Sequence, residues 1–389
     1  MEKSKKEDST ELFQYIPKEI IPNIMTKLPH DLIMKLRNSY KEWKQFTSNA
    51  TFIADSFFHT KPNSILIQIP TFKPSTPAHK RKYKSKLLEL DENGLGFKVK
   101  NFGMAGMRRV SSCCNGLLLV NDMNVKTLVV MNTMTKCYAT LPTCPSHCPH
   151  KSCGMALVYI SSKKQYKVIH IYNHGFGFEL LTLGTTQWKV IPWPSLVDLY
   201  SPYHFFWSDP LCTNDQLLLH WKLNTFKHFI VTMDTHEERL WRTMLPYEII
   251  GENFSIFEMK GCLSLMSNVS STKFDVWVLK DFDEKRVWCK SFSVWADSIT
   301  YLSPKFLPNS STKALPDFSK LEAVMTLRNG EVIVLKNNKS GCCYLYETRL
   351  ERLKKCSDDI CWGKSNLLHY KTSFIYWENY EELLTRETI

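Results

Sequence analysis

What the chain lacks narrows its chemistry first. It has no G-x-S-x-G nucleophile elbow, no G-x-x-x-x-G-K-S/T phosphate loop, no H-E-x-x-H zinc signature and no protein-kinase signature set. Glycine-rich dinucleotide fingerprints are absent, since Gly103-x-x-Gly106 is too short and has no Rossmann setting. Catalysis and a bound cofactor are therefore not expected. No run approaches the ~18 apolar residues of a membrane helix, so no membrane partner is expected either. Met1-Glu2-Lys3-Ser4-Lys5-Lys6 is charged with no apolar stretch behind it, which speaks against a secretory leader. The 13 cysteines are odd in number, so a reducing compartment with free thiols is expected, in the cytoplasm, the nucleus or both. Sites such as Asn268-Val269-Ser270 then carry no glycan.

What is present is ordinary globular material. Hydrophobic residues make up 43% and charged residues 23%, which excludes a disordered or fibrous chain. The 389 residues suit one large or two unequal domains. Aromatic rings are abundant, with 11 Trp, 16 Tyr and 22 Phe, and such rings favour strands. The net charge of +12 sets a field rather than a fold. Part of it lies in His79-Lys80-Arg81-Lys82-Tyr83-Lys84-Ser85-Lys86, which follows Pro70, Pro74 and Pro77 and reads as a solvated loop. Nucleic-acid binding is not expected, because the remaining Lys and Arg are scattered and the aromatics are better used in a core.

The hydrophobic period changes along the chain. Ile16, Ile20, Ile24 and Leu28 recur every four residues, widened by Ile21 and Met25, and Leu32, Leu36, Tyr40, Trp43 and Phe46 come next at steps of three and four. These steps make helix faces. Pro17 suits a first helical turn, Pro29 redirects the chain and Asp31 can cap the second helix. Phe52, Ile53, Phe57 and Phe58 suggest a third helix. Pro22 is expected to kink a helix that begins near Pro17. A three-helix unit over residues 12–58 is expected, with stripes broad enough either for a partner helix or for the rest of this chain.

From residue 62 to 389 the period is two. Ser64–Ile69, Leu87–Leu90 and Phe97–Val99 are short strands. Gly or Asp turns then lead apolar strands at Leu117–Val120, Leu217–Leu219, Cys262–Leu265 and Val332–Leu335. The next strand ends in a polar turn and an aromatic, at Tyr138, Trp188, Trp241 and Trp288. The spacing of roughly 50 residues is the kelch-like period of blade-by-blade β-propellers. An α+β multidomain chain is thus expected, a small helical module before a mainly antiparallel, all-β, propeller-like domain. The number of blades is not readable. Cys144, His147, Cys148, His150 and Cys153 crowd into ten residues, but their spacing is not that of a paired finger and no second C-x-x-C completes one. They read as a loop between blades, with no metal site expected.

Ordered motifs then point to a family. Ile16-Pro17-Lys18-Glu19-Ile20 through Leu28-Pro29, with Leu32-Ile33-Met34-Lys35-Leu36-Arg37 and Lys41-Glu42-Trp43, resembles the F-box. Ser112-Cys113-Cys114-Asn115-Gly116-Leu117-Leu118, Tyr166-Lys167-Val168-Ile169, Thr186-Gln187-Trp188-Lys189, Asp275-Val276-Trp277-Val278-Leu279-Lys280 and Arg328-Asn329-Gly330-Glu331-Val332 resemble, in order, the plant F-box-associated domain. The resemblance implies a non-catalytic substrate-recognition subunit of an SCF-type cullin-RING ubiquitin ligase. Its F-box would bind the Skp-family adaptor, and through it cullin, by Ile16, Pro17, Ile20, Ile24, Leu28, Pro29, Leu32 and Leu36. Trp43 would hold the module's own core. The β domain would hold an unknown target protein through residues the sequence does not reveal. The alternative is a propeller-type interaction scaffold that recruits no ligase.

Overall fold

The computed structural model describes residues 20–25, 27, 28, 30–39, 43 and 47 near the N-terminus and most of residues 64–370. Two helices stand in the first part, α1 (Ile21–Met25) and α2 (His30–Ser39). Because α1 opens at Ile21, Pro22 falls in its first turn, where an N–H has no intrahelical partner to lose. The kink expected at Pro22 therefore does not arise in the described helix. The suggested third helix, at residues 52–58, lies outside the described residues.

Among the described residues, strands sort into six sheets in chain order. The first holds β1 (Ser64–Pro70), β2 (Tyr83–Leu90) and β3 (Phe97–Asn101). The second holds β4 (Val110–Cys114), β5 (Leu117–Asp122), β6 (Thr127–Asn132) and β7 (Cys137–Thr140). The third holds β8 (Gly154–Ile160), β9 (Gln165–Tyr172), β10 (Gly177–Thr182) and β11 (Lys189–Ile191). The fourth holds β12 (Leu211–Thr213), β13 (Leu218–Trp221), β14 (Phe229–Asp234) and β15 (Arg239–Met244). The fifth holds β16 (Phe254–Met259), β17 (Cys262–Asn268), β18 (Lys273–Phe282) and β19 (Lys285–Trp295). The sixth holds β21 (Leu321–Leu327), β22 (Val332–Asn337), β23 (Cys343–Glu347) and β24 (Arg352–Lys355), with β20 (Thr300–Leu302) added in parallel along β24. The last strand, β25 (Asn366–Tyr370), returns to pair with β1 and completes the first sheet.

The hydrophobic core shows why six sheets make a ring. Each apolar cluster is shared by two neighbouring sheets. Leu66, Tyr370, Val110 and Leu118 join the first to the second, and Leu117, Leu119, Leu157 and Val168 join the second to the third. Ile169, Phe178, Trp221 and Val231 join the third to the fourth, and Ile230, Leu245, Phe254 and Leu265 the fourth to the fifth. Phe257, Phe274, Ile333 and Tyr346 join the fifth to the sixth. Ile65, Ile67, Val334 and Leu345 then join the sixth back to the first. Each blade is thus apolar on both faces, as the run Met155–Val158 shows: Met155 and Leu157 point to the second blade, Ala156 and Val158 to the fourth. Strands buried on both sides read as continuous apolar runs rather than clean alternation.

Hairpin turns fit their residues. Asn115 and Gly116 between β4 and β5 both have positive φ (48° and 79°), as do Lys260 and Gly261 between β16 and β17 (53° and 81°). This is the geometry of a two-residue turn that matches strand twist, and glycine enters it without steric cost.

The inner strands are tied by polar side chains as well as by the apolar cores. Ser112 Oγ accepts from the Leu157 N–H at 3.0 Å, and Ser255 Oγ from the Ala323 N–H at 2.9 Å. Gln68 Oε1 accepts from the Val110 N–H at 2.7 Å, and Asn366 Nδ2 donates to the Val110 carbonyl at 2.7 Å. Each tie crosses from one blade to the next and satisfies a buried backbone group at the inner rim. All four involve a residue that flanks a register shift, in β4 or in β21. Replacing Ser255 by alanine strands the Ala323 N–H and is expected to cost about 1–3 kcal/mol. Urea denaturation of Ser255→Ala against the unsubstituted chain measures this, and an unchanged midpoint would contradict the assigned tie.

One buried group links the fold to pH. His220 in β13 lies among threonines, with Nε2 2.8 Å from Thr213 Oγ1 and Nδ1 3.0 Å from Thr232 Oγ1, which is itself 2.6 Å from Thr243 Oγ1. Burial, and secondarily the charge of Arg286, lower its pKa from 6.5 to about 3. The neutral ring is therefore the folded form. Its stabilisation is complete above the unfolded value of 6.5 and drains as pH falls toward 3, because the unfolded chain then takes up a proton that the folded chain refuses. The loss is up to about 1.4 kcal/mol per pH unit, hence about 2 kcal/mol by pH 5. Denaturation midpoints at neutral pH and near pH 5 should differ more for the unsubstituted chain than for His220→Gln. Equal pH dependence in both would refute this role.

Candidate functional site

The residues expected to dock an adaptor divide into two groups. Ile20, Ile24 and Leu32 are exposed, at 48%, 42% and 42% of their full surface. Leu28 and Leu36 are half-buried and, with Ile21 and Trp43, pack against the buried pair Met25 and Ile33. Trp43 thus serves the small core, as expected. Ile16 and Pro17 lie outside the described residues, and so does Pro29. A hydrogen-bond chain braces this core: Arg37 Nη1 donates to Thr47 Oγ1 at 3.0 Å, and Thr47 Oγ1 donates to the Trp43 carbonyl at 2.6 Å. Among the described residues of this unit, Met25 and Ile33 are the buried apolar side chains. Its three exposed branched residues lie on α1, on α2 or one residue before α1.

The propeller offers a second surface. Tyr247, in the short turn between β15 and β16, is 87% exposed. Val269 leaves the end of β17, and Trp295 ends β19 opposite Lys273. Register places all three at the same edge of the fifth blade, because β17 ends where β16 begins and β19 ends where β18 begins. Lys273 Nζ sits 4.3 Å from the centre of the Trp295 ring. No sequence pattern marked this edge. Exposed apolar residues in connections carry no period, and only the connections themselves could have pointed to it.

The motifs singled out in the sequence take positions in the blades. Tyr138, Trp241 and Trp288 stand on the outermost strands of the second, fourth and fifth blades, and Trp188 directly precedes that of the third. Trp188 Nε1 donates to the Pro142 carbonyl at 2.9 Å, and Trp288 Nε1 to the Met244 carbonyl at 2.7 Å. Each indole thus fastens its blade to the outer end of the blade before it. The basic run departs from expectation. Tyr83–Lys86 is strand rather than loop, with Ser85 buried and Lys84 exposed, because alternation lets a strand bury one side chain and solvate the next. Of the Cys/His segment, Cys144 is buried and Cys153 half-buried; His147, Cys148 and His150 lie outside the described residues. No helix among the described residues is long and apolar enough to cross a membrane.

Six blades, sealed by one strand from the C-terminal side and three from the N-terminal side of the first sheet, define a β-propeller protein. Residues 67–357 match the family described as the F-box associated beta propeller domain, and the chain belongs to that family. Among curated proteins it is similar to F-box protein At3g07870 of Arabidopsis thaliana, at 24% identity over 91% of this chain and 89% of that one. It is also similar to the Arabidopsis F-box protein At5g65850, at 26% identity over 81% of each chain. F-box protein CPR1 of the same plant is 23% identical over 79% of this chain and 81% of its own. Among solved structures, the Cps50 (Swd1) beta-propeller domain of Myceliophteria thermophila has a TM-score of 0.37 at 9% identity, covering 74% of this chain and 88% of that chain.

Proposed function

We propose that the chain is the substrate-recognition subunit of an SCF-type cullin-RING ubiquitin ligase. In this reading residues 12–58 are the F-box, and Ile16, Pro17, Ile20, Ile24, Leu28, Pro29, Leu32 and Leu36 make the adaptor-binding set. The propeller holds the target protein. The observation that carries the reading is the pairing of a family propeller with N-terminal helices at which Ile20, Ile24 and Leu32 stand in solvent. An apolar face of this kind gains most from a partner helix.

No bond is made or broken by the chain itself. It works by proximity, holding target lysines near the charged ubiquitin carrier and so raising their effective concentration.

The exposed and half-buried members of the docking set call for different substitutions. Leu28 packs on Met25 and Ile33, so Leu28→Asp would damage the module as well as the surface. Ile24→Asp and Leu32→Asp place a carboxylate where only a partner would bury it. Each should cost the complex about 3 kcal/mol, roughly a hundredfold in affinity, while leaving the fold intact. Co-purification of the full chain with the Skp-family adaptor, then titration of both variants, tests this. Absence of binding by the unsubstituted chain would leave the interaction-scaffold alternative in its place.

A further inference from the structure

We propose that Cys144, His170 and Glu179 form a binding site for a zinc-like divalent transition metal between the second and third blades. His170 on β9 and Glu179 on β10 are directly paired across the sheet, so their side chains stand side by side on one face. That face looks toward the second blade, as do Val168 and Leu181 beside them. Both side chains are buried, at 0% and 1% exposure. The chain leaving β7 crosses above them and brings the buried Cys144 to the same point. One ligand atom from each of the three residues lies within 4.8 Å of the others.

The geometry suits a tetrahedral metal. His170 Nδ1 and Glu179 Oε2 are 3.1 Å apart. Two ligands each ~2.0–2.1 Å from a tetrahedral zinc are separated by about 3.3 Å, so a few tenths of an ångström admit the ion. The donor set is sulfur, imidazole nitrogen and carboxylate oxygen, all of them zinc ligands.

A His–Glu pair alone would need no thiol. Ser146 already supplies Glu179 with neutral donors, from its N–H to Oε1 at 2.6 Å and from its hydroxyl to Oε2 at 3.1 Å, and the same hydroxyl lies 3.5 Å from Cys144 Sγ. A thiol is a weak hydrogen-bond donor and adds little to that network. As a thiolate it is the strongest soft ligand for zinc. Three protein ligands leave a fourth tetrahedral position. Binding expels the Cys144 thiol proton, so affinity falls as pH falls.

The full chain, purified from zinc-supplemented medium and desalted, should carry about one zinc per molecule by elemental analysis. Cobalt exchanged for zinc should show the intense visible bands of a tetrahedral ion and a thiolate-to-cobalt charge-transfer band. Cys144→Ser should abolish the charge-transfer band. His170→Gln and Glu179→Gln should weaken zinc at least tenfold in competition with a chromophoric chelator. Because a variant here could also loosen the fold, thermal unfolding supplies an independent reading: chelator should lower the midpoint of the unsubstituted chain and leave that of His170→Gln unchanged. Substoichiometric zinc would overturn the proposal. So would a cobalt spectrum and a zinc affinity unaltered by both Cys144→Ser and His170→Gln, which would place the metal on other cysteines.

Discussion

Removing residues 366–389, and with them β25, is expected to abolish cooperative unfolding of the propeller. β25 is the inner strand of the first blade, and its five residues pair with Ser64–Gln68 of β1. Without it β1 becomes an open edge, and the second blade loses a neighbour along β4. Tyr370 alone is a buried aromatic, at 2% exposure, whose ring meets Phe102 edge-on and whose hydroxyl lies 2.7 Å from Thr133 Oγ1. Truncating such a side chain costs about 3–5 kcal/mol, comparable with the lower end of the roughly 5–15 kcal/mol that hold a domain together. Leu368 and the Asn366 tie to Val110 are lost in the same step. Near-ultraviolet circular dichroism and urea unfolding measure the outcome. A sharp transition near the original midpoint would mean that the ring does not depend on this closure. Tyr370→Phe, which forfeits only the hydroxyl contact, should cost about 1 kcal/mol and keep the transition cooperative.

Trp221→Ala is expected to destabilise the chain by about 3–5 kcal/mol, a large loss for a single core truncation. The indole is fully buried between the third and fourth blades and meets Phe178 at 6.4 Å and 73°. Its Nε1 finds no hydrogen-bond partner among the described residues. Trp221→Phe therefore sheds an unpaired donor as well as volume and should cost less than the alanine change. Gly154 supplies an internal check. A Cβ there would lie 2.8 Å from both Cδ1 and Nε1 of the indole, so Gly154→Ala should cost about 1–3 kcal/mol by overpacking. In the double variant Gly154→Ala with Trp221→Ala the clash disappears, and the combined loss should fall short of the sum. Strict additivity in denaturant unfolding would contradict this contact.

Sequence and structure agree most clearly at the blade edges. Tyr138, Trp188, Trp241 and Trp288 recur because four successive blades place an aromatic at or beside the outermost strand. The count of blades stayed hidden for two reasons. The sixth blade's fourth antiparallel strand, Arg352–Lys355, carries no aromatic and is covered by the parallel strand Thr300–Leu302, and the first blade borrows its inner strand from the far end of the chain. A borrowed strand leaves no local period to read. The short apolar runs were legible as strands, yet their burial on both faces comes only from the ring.

At the N-terminus, periodicity found the helix faces but could not separate Leu28, which packs inward, from Ile24 and Leu32, which do not. Residues three or four apart share a broad face, and only packing decides which edge of it is covered. The buried cluster of Cys144, His170 and Glu179 was half visible. Its cysteine sat in a conspicuous segment, but its other two members lie two and three strands away and meet it through sheet register, which spacing rules for metal motifs do not encode.

Whether one chain couples an adaptor to a target-holding propeller is the central question, and a reconstituted ligase tests it most directly. The full chain should be combined with the Skp-family adaptor, cullin, RING subunit, ubiquitin-activating enzyme, ubiquitin carrier and ubiquitin, and its own lysines assayed for modification. The expected result is ubiquitin on the unsubstituted chain, dependent on the adaptor, and its loss in Ile24→Asp and Leu32→Asp while the propeller's urea midpoint stays unchanged. Modification that is absent, or that persists equally without adaptor and in both variants, would contradict the ligase role.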